Sequence, residues 1–128
     1  MVRPQYYFRK SDRGLLAWDV RHLIALSANL PIQQVPVSSI VEINENHWYS
    51  QGGVEPTCRS IVAHCALMIT ADLSYPIILD NGGRVMDGMH RVCKALLEGL
   101  SHVAAVRFVV DPEPDYVGRE PETLPYLG

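Results

Sequence analysis

Apolar residues recur along this chain with two periods, one typical of helices and one typical of strands. Helical spacing covers about residues 14–28, about residues 57–71, and a stretch from Met89 to the neighbourhood of Gly99. In the second stretch the apolar stripe consists of Cys58, Ile61, Val62, Cys65, Met68 and Ile69. The pattern predicts three amphipathic helices, each with one apolar face turned towards a core.

Shorter stretches rich in β-branched residues predict the strands. Residues 32–43 alternate roughly between apolar and polar, which indicates a strand or a strand pair. The apolar runs Ile77–Leu79 and 84–86 are separated by Asn-Gly-Gly, whose residues tolerate the positive φ of a tight β-hairpin. Residues 102–110 predict a last strand. Helices and strands interleaved in this way predict an α+β fold, a small mixed β-sheet packed with helices.

The length and the two chain ends indicate a single domain with extensions. A chain of 128 residues is long enough to bury one core. Residues 1–13 are polar and aromatic and predict a loosely attached N-terminal arm. The domain, including the first helix, is expected over residues 14–110. Residues 111–128 are rich in proline and acidic residues and predict either an extended wrap or a disordered end.

Charge and cysteine content narrow the classes of protein. The net charge of −3 and the pI near 5.9 give no general attraction for polyanions, so nucleic-acid binding is not favoured. The N-terminus lacks the apolar core of a signal peptide, and no apolar stretch is long enough to span a bilayer. Three cysteines, an odd number, argue against a disulfide framework. We expect a cytoplasmic protein that does not bind membranes.

One short sequence, RVMDGMHRVCKA, carries the strongest chemical signal. It falls where the predicted hairpin passes into the third helix, and the first N–H groups of a helix attract anions because they lack intrahelical partners. Gly88 allows a ligand to approach the backbone closely. His90, Arg91 and Lys94 add side-chain donors near the same helix end. The pattern is typical of a site for phosphate or another anion.

An ordinary structural interpretation fits the same residues equally well. Asp87 could cap the helix, Arg91 and Lys94 could form its solvated face, and His90 could be a polar residue without a special role. The spacing alone leaves both interpretations open.

The segment IILDNGGRVMDGMHRVCKALLEGLSHVAAVRFV resembles the signature region of the ParB/sulfiredoxin-like superfamily, in which a hairpin leads into a D-G-x-H-R or G-C-H-R turn and a helix. The sequence VPVSSIVEI resembles the strand with which such domains begin. Known members bind nucleotides: they include sulfinic-acid reductases, free-serine kinases and CTP-binding partition proteins. Carried onto this chain, the implied phosphate-binding residues are Gly88, Met89, His90, Arg91 and Lys94. Asp87 would orient the turn or assist a metal ion.

The differences between this sequence and the superfamily motif indicate which of the superfamily's activities it could have. Met89 stands where sulfiredoxins carry their reactive cysteine, and a thioether cannot act as a thiolate nucleophile. Partition proteins have an arginine-rich form of the motif, followed by a helix-turn-helix domain. The D-G-M-H-R form is most similar to the free-serine-kinase type. The implied function is therefore nucleotide binding, with ATP or another nucleotide and Mg²⁺, and with phosphate transfer to a small hydroxyl compound.

A kinase also needs carboxylates, one to accept the hydroxyl proton and others to hold Mg²⁺. Glu42 and Glu45 are the candidates for the first role, and Asp87 or Asp80 for the second. Glu42 and Glu45 could equally be simple surface charges, and Asp80 could belong to the hairpin turn. The alternative function is a non-catalytic, nucleotide-responsive interaction, partition or regulatory module, in which the N-terminal arm and the proline-rich tail contact a protein or nucleic acid. A third possibility is a degenerate member of the fold that serves purely as an oligomeric interaction domain. A homo-oligomer is possible.

The remaining chemically active side chains predict structural roles. Cys58, Cys65 and Cys93 lie on apolar stripes and are expected to be core thiols, so the cysteines predict no zinc site. Trp48 could stack on a base or pack in the core. The histidines at positions 22, 47, 64 and 102 show no spacing that identifies a partner.

Overall fold

Two β-sheets and three α-helices make up the protein in a computed structural model that describes residues 5–49 and 55–126. The strands are β1 (Tyr6–Ser11), β2 (Gly14–Asp19), β3 (Gln33–Pro36), β4 (Ile77–Leu79), β5 (Val85–Asp87), β6 (His102–Arg107) and β7 (Tyr116–Val117). The helices are α1 (Val20–Ser27), α2 (Cys58–Thr70) and α3 (Met89–Leu97). The predicted α+β class is confirmed.

The first sheet has the strand order β1-β2-β7. Its first strand overturns the prediction of a loosely attached N-terminal arm. β1 and β2 pair antiparallel, with Tyr7 opposite Trp18, so residues 6–11 of the expected loose arm form one strand of a hairpin. The first six residues of the predicted helix at 14–28 form β2, because β1 supplies backbone partners that a sequence pattern does not reveal. Helix α1 begins only after Asp19, whose side chain accepts a hydrogen bond from the Arg21 N–H at 2.9 Å.

The C-terminal tail wraps the first sheet up to the last described residue, 126, and is extended except for a 3₁₀ turn at Pro121–Thr123. β7 pairs antiparallel with the outer edge of β2. The Trp18 indole N–H donates to the carbonyl of Pro112 at 2.9 Å, and Leu124 is buried. Of the two predicted states of the tail, the structure shows the wrap.

The second sheet has the order β3-β6-β4-β5, in which β4 and β6 are parallel and the other pairs are antiparallel. The predicted hairpin is confirmed as β4 and β5. The strand predicted over residues 32–43 is shorter: after β3 the chain forms two 3₁₀ turns, Val37–Ser39 and Val41–Asn44, which bury Val37 and Ile40. The last strand likewise ends at Arg107 instead of residue 110.

The core has two parts, one on each face of the second sheet. Ile77 and Leu79 of β4 pack with the buried face of α3, including Val92. Ile78, which lies between them and points to the other face, packs with Trp18 and Leu23 from the N-terminal part of the chain. Because α3 is fixed over one face of this sheet, the turn that precedes it has a defined position.

Helix α2 has the predicted extent but a different orientation. Thr57 caps its start, and the helix runs close to the expected residues 57–71. None of its residues is buried. It contacts the rest of the chain through the half-buried Ser60, His64 and Met68, one turn apart. None of the described helices is long and apolar enough to cross a membrane.

The orientation of α2 overturns part of the cysteine prediction. Adjacent helix residues point about 100° apart, so a helix that packs through His64 turns Cys65 towards solvent. Cys58 and Cys65 are exposed, and the prediction that they are core thiols is wrong. Cys93 is half-buried against the core, where burial raises the pKa of its thiol.

Candidate functional site

The turn between β5 and α3 requires glycine for two independent reasons. Gly88 has φ +104° and ψ 22°, a left-handed conformation that other residues rarely adopt. A Cβ atom added to Gly88 would also lie 2.7 Å from Cγ2 of Ile77 in the core. The sequence motif already singled out Gly88. In the structure this glycine is the N-cap of α3.

Two backbone N–H groups are available at this turn. Arg91 and Val92 donate the first helical hydrogen bonds of α3, both to the Gly88 carbonyl, at 2.9 and 3.1 Å. The N–H groups of Met89 and His90 precede them, and neither has an acceptor within the described residues. Such groups, at the positive end of the helix dipole, are typical donors to an anion.

Arg91 is bonded to its own protein rather than free at the turn. Its guanidinium donates to the carbonyls of Tyr75 and Pro76, at 3.0 and 2.7 Å, and to the carboxylate of Asp87 at 2.9 Å. Asp87 therefore pairs with Arg91 and makes no cap to α3, in contrast to the capping alternative.

Lys94 is bonded in a similar way. Its ammonium donates to the carbonyls of Ile69 and Ala71, at 3.1 and 2.7 Å, and so binds the C-terminal end of α2. Both predicted cations thus fasten the segment from Ile69 to Pro76 onto α3. The Arg91 guanidinium stays beside the turn, 3.0 Å from the position that a Cβ on Gly88 would take, but the Lys94 ammonium is directed to the end of α2.

The turn opens into a cleft of about 870 Å³, which we call the turn cleft. Residues 87–90 line it together with two of the predicted acids, Glu42 and Glu45. A second cleft, of about 560 Å³, shares Asp87, Gly88 and His90 and is otherwise lined largely by apolar residues of α1 and the segment after α2. The turn cleft is the candidate site because it contains all the predicted acids except Asp80.

Glu42 is buried, which excludes the surface-charge interpretation for this residue. It is only 3% exposed, and one oxygen, Oε2, accepts a hydrogen bond from the Val85 N–H at 2.7 Å. The same oxygen lies 3.4 Å from Nε of Arg84. Its other oxygen, Oε1, has no hydrogen-bond partner among the described residues. Glu42 therefore holds the start of β5 at the wall of the cleft.

Glu45 and Asp80 have different surroundings. Glu45 is half-exposed and accepts two hydrogen bonds from the guanidinium of Arg84, at 2.9 and 2.8 Å, which lower the pKa of its carboxyl. Asp80 is buried in the hairpin turn, where it accepts from the N–H of Arg84 at 2.8 Å and from Arg9 at 2.6 Å. Asp80 therefore has the turn role that was its structural alternative.

Three histidines and a tryptophan form a cluster beside the turn that the sequence did not reveal. Nδ1 of His64 lies 2.9 Å from Nε2 of His90. The Trp48 ring stacks on both imidazoles, with centroid distances of 4.2 and 4.8 Å. His47 lies edge-on to Trp48 at 5.7 Å. His64 belongs to α2 and His90 to α3, whereas His47 and Trp48 are neighbours in the loop after the second 3₁₀ turn, so the packing of three separate segments forms the cluster.

The imidazoles of this cluster favour the neutral form. Burial, followed by the neighbouring His64 and His47, lowers the pKa of His90 to about 4. Burial also lowers the pKa of His64 and of His47. Within residues 5–49 and 55–126, no three His, Cys, Asp or Glu side chains are grouped so that they could hold a metal ion. At neutral pH the cluster therefore provides hydrogen bonds and aromatic surface without positive charge.

Comparisons with protein-family models, with curated proteins and with solved structures found no match for this chain. The candidate site therefore rests on its geometry and on the motif resemblance.

Proposed function

We propose that this protein has a ParB/sulfiredoxin-like fold and binds a nucleotide through its phosphates at the Gly88 turn. One observation carries the proposal. A glycine that no other residue can replace without strain precedes two backbone N–H groups that have no acceptor among residues 5–49 and 55–126, and these residues line a cleft of a size suited to a small ligand. The resemblance of the D-G-M-H-R motif to that of the ParB/sulfiredoxin-like superfamily indicates that the ligand is a nucleotide.

The phosphate contacts would come mainly from the backbone. The N–H groups of Met89 and His90 are the natural donors, since Arg91 and Lys94 already bind carbonyl groups of the chain. His90 adds a third donor in one tautomer. If the Nδ1–H of His64 donates to Nε2 of His90, then Nδ1 of His90 carries the proton and can donate to a phosphate oxygen.

The cleft also offers apolar surface for a base. Tyr7, Phe8 and Trp48 line it together with the turn. Aromatic side chains favour stacking on a flat ring. Lys10, an exposed cation on β1, lines the same cleft and would favour an anionic ligand.

Phosphate transfer is the catalytic form of this proposal. A substrate hydroxyl would attack the terminal phosphorus, the bond to the bridging oxygen of ADP would break, and a carboxylate would accept the hydroxyl proton. Of the two predicted bases, Glu45 is the one a substrate can reach, because Glu42 is buried against Val85. Asp87, beside the turn, would hold Mg²⁺ together with the phosphates. The metal would neutralise charge on the phosphate oxygens.

The non-catalytic module is the second candidate function. It is favoured by the exposed apolar face of α2, a surface suited to another protein and unrelated to phosphate transfer.

Calorimetry with ATP, ADP and CTP, each with Mg²⁺ at millimolar concentration, tests binding. We expect Gly88→Ala to weaken nucleotide affinity at least about tenfold, because the added Cβ displaces the turn. Gly83→Ala is the matched control: Gly83 also has positive φ, but a Cβ there meets nothing within 4 Å. Absence of binding by the native chain would overturn the proposal.

A coupled assay of ADP release separates the two candidate functions. Release that depends on a small hydroxyl compound and falls in Glu45→Gln supports a phosphotransferase. Binding without turnover supports the interaction module.

A further inference from the structure

The second cleft, of about 560 Å³, is bounded by elements that the packing of the chain holds in place. One wall is the segment after α2, where the carbonyls of Tyr75 and Pro76 accept hydrogen bonds from Arg91 of α3. Another wall is α1, whose Leu23 is fully buried in the core together with Ile78 of β4. A preformed cleft of this volume is typical of sites for small molecules.

Most of the lining of this second cleft is apolar. α1 and the chain after it contribute Ile24, Leu30 and Ile32, and the second sheet contributes Ile78 and Val106. Ile24 and Ile32 are exposed, so their apolar surface is available to a ligand. Because the removal of such surface from water is favourable, the cleft favours a ligand with an apolar body.

The charged and polar side chains of the lining favour a neutral ligand. The hydroxyl of Ser27 donates to a backbone carbonyl of α1 at 3.2 Å. The Arg91 guanidinium is paired with Asp87 at 2.9 Å, and Asp72 adds a second carboxylate. His90 is neutral at pH 7, because its pKa is about 4. Within the described part of the chain, the cleft therefore offers no unpaired cation to an anionic ligand, and its apolar walls disfavour any charge.

One hydrogen-bonding atom remains free where the second cleft meets the turn cleft. Asp87 lines both clefts and binds Arg91 through Oδ2. Its other oxygen, Oδ1, has no hydrogen-bond partner among the residues that the structure describes. A carboxylate oxygen accepts hydrogen bonds, and a hydroxyl is a neutral group that can donate one. The polar end of a ligand therefore belongs at Asp87.

We infer that the second cleft binds a small neutral alcohol, with its apolar body against Ile24 and Ile32 and its hydroxyl donating to Asp87. The volume excludes a larger occupant: an α-helix about 10 Å across would fill 560 Å³ with little more than one turn. The inference goes beyond the proposed function and does not depend on it, because the chain forms this cleft without a nucleotide.

An NMR titration of the native chain with benzyl alcohol tests this site. We expect the backbone amide signals of Ala28 and Ala71, which line the cleft, to shift with a Kd of about 1 mM. Benzoate and benzylammonium keep the ring but carry a charge, and each should bind at least about tenfold more weakly. Benzyl methyl ether keeps the oxygen without the O–H donor and should bind several-fold more weakly.

The Ile24→Asn variant tests the apolar wall. It places a polar amide where the body of the alcohol should lie, and we expect the affinity for benzyl alcohol to fall about tenfold. Ile61→Asn is the matched control. Both isoleucines lie on helices with similar exposure, 52% for Ile24 and 47% for Ile61, but Ile61 lines neither cleft. The control should bind benzyl alcohol as the native chain does.

Three results would each overturn the inference. These are no saturable shift of the native chain with benzyl alcohol up to about 10 mM, equal or tighter binding of one of the comparison compounds, and an equal effect of the two asparagine variants. The titration contains no nucleotide. Its failure therefore leaves the calorimetric test of nucleotide binding unaffected, and a failure of nucleotide binding leaves the alcohol site intact.

Discussion

At the scale of single residues, the site depends on side chains whose partners lie far away in the chain. Glu42 holds the N–H of Val85, and His64 holds His90. Each of these contacts links segments that no local pattern connects. Gly88 is the exception, since its conformation is required by the turn in which it lies, and it was the one site residue whose structural role could be predicted from its neighbours.

His90 leads to a prediction about pH. Its pKa is about 4 in the folded protein and near 6.5 when unfolded, so the unfolded chain takes up the proton first as the pH falls. The stability that neutral His90 provides is therefore complete above about pH 6.5 and is lost between pH 6.5 and 4.

Urea unfolding at pH 7.5 and pH 4.5 measures this loss. We expect the native chain to lose about 1–2 kcal/mol more than His90→Gln between the two values, after allowance for the partial exposure of the ring. Carboxylates with lowered pKa, such as Asp19 and Glu45, affect both proteins equally. Equal losses in the two proteins would show that folding does not lower the pKa of His90.

At the scale of elements, helix α3 organises its surroundings through two cations. Arg91 binds the carbonyls of Tyr75 and Pro76, and Lys94 binds the last carbonyls of α2. The Lys94 bonds satisfy carbonyl groups that the end of α2 would otherwise leave to water. They also set the position of α2, and thereby the distance between His64 and His90. Arg91 and Lys94 therefore support the site structurally, by holding the neighbouring elements in position.

Lys94→Met tests this structural role. The apolar part of the side chain is kept, but the carbonyls of Ile69 and Ala71 lose their donor. We expect amide hydrogen exchange in the last turn of α2 to become about tenfold faster, with little change in β4 and β6. Arg13→Met, at the exposed turn between β1 and β2, is the control and should leave α2 unchanged. Unaltered amide exchange in α2 would show that Lys94 does not hold this helix end, and its ammonium would then be available to bind a ligand.

At the scale of the whole molecule, the two chain ends complete one sheet. β7 pairs with β2, and Asp111 accepts hydrogen bonds from Arg9 and from the N–H of Asn81, at 3.4 and 2.7 Å. The N-terminal hairpin is therefore held between the second sheet and the tail. Because β1 also lines the turn cleft, the tail supports one wall of the candidate site.

Removal of residues 111–128 should consequently destabilise the domain. The edge of β2 would lose its partner, and Trp18, now 2% exposed, would lose its hydrogen bond to Pro112. We expect the melting temperature to fall by on the order of 10 °C and the fluorescence of Trp18 to shift to the red. The Trp18→Phe variant of the shortened chain assigns the spectral change. If the shortened chain has the same melting temperature as the native protein, the tail does not contribute to the stability of the domain.

The sequence by itself determined the features that depend on a few neighbouring residues. These are the α+β class, the β4–β5 hairpin at Asn-Gly-Gly, the extents of α2 and α3, and the glycine turn that joins β5 to α3. Each follows from local backbone preferences or from a short period of apolar residues. Such preferences act over one or two turns of chain.

Only the tertiary structure decided the contacts between distant segments. It turned residues 14–19 into a strand, because β1 and β7 supply hydrogen bonds on both edges. It turned the apolar stripe of α2 towards solvent, brought His47, His64 and His90 to Trp48, and committed Arg91 and Lys94 to carbonyl groups. An amphipathic pattern shows which face of a helix is apolar. Which face is buried depends on what the rest of the chain places beside it.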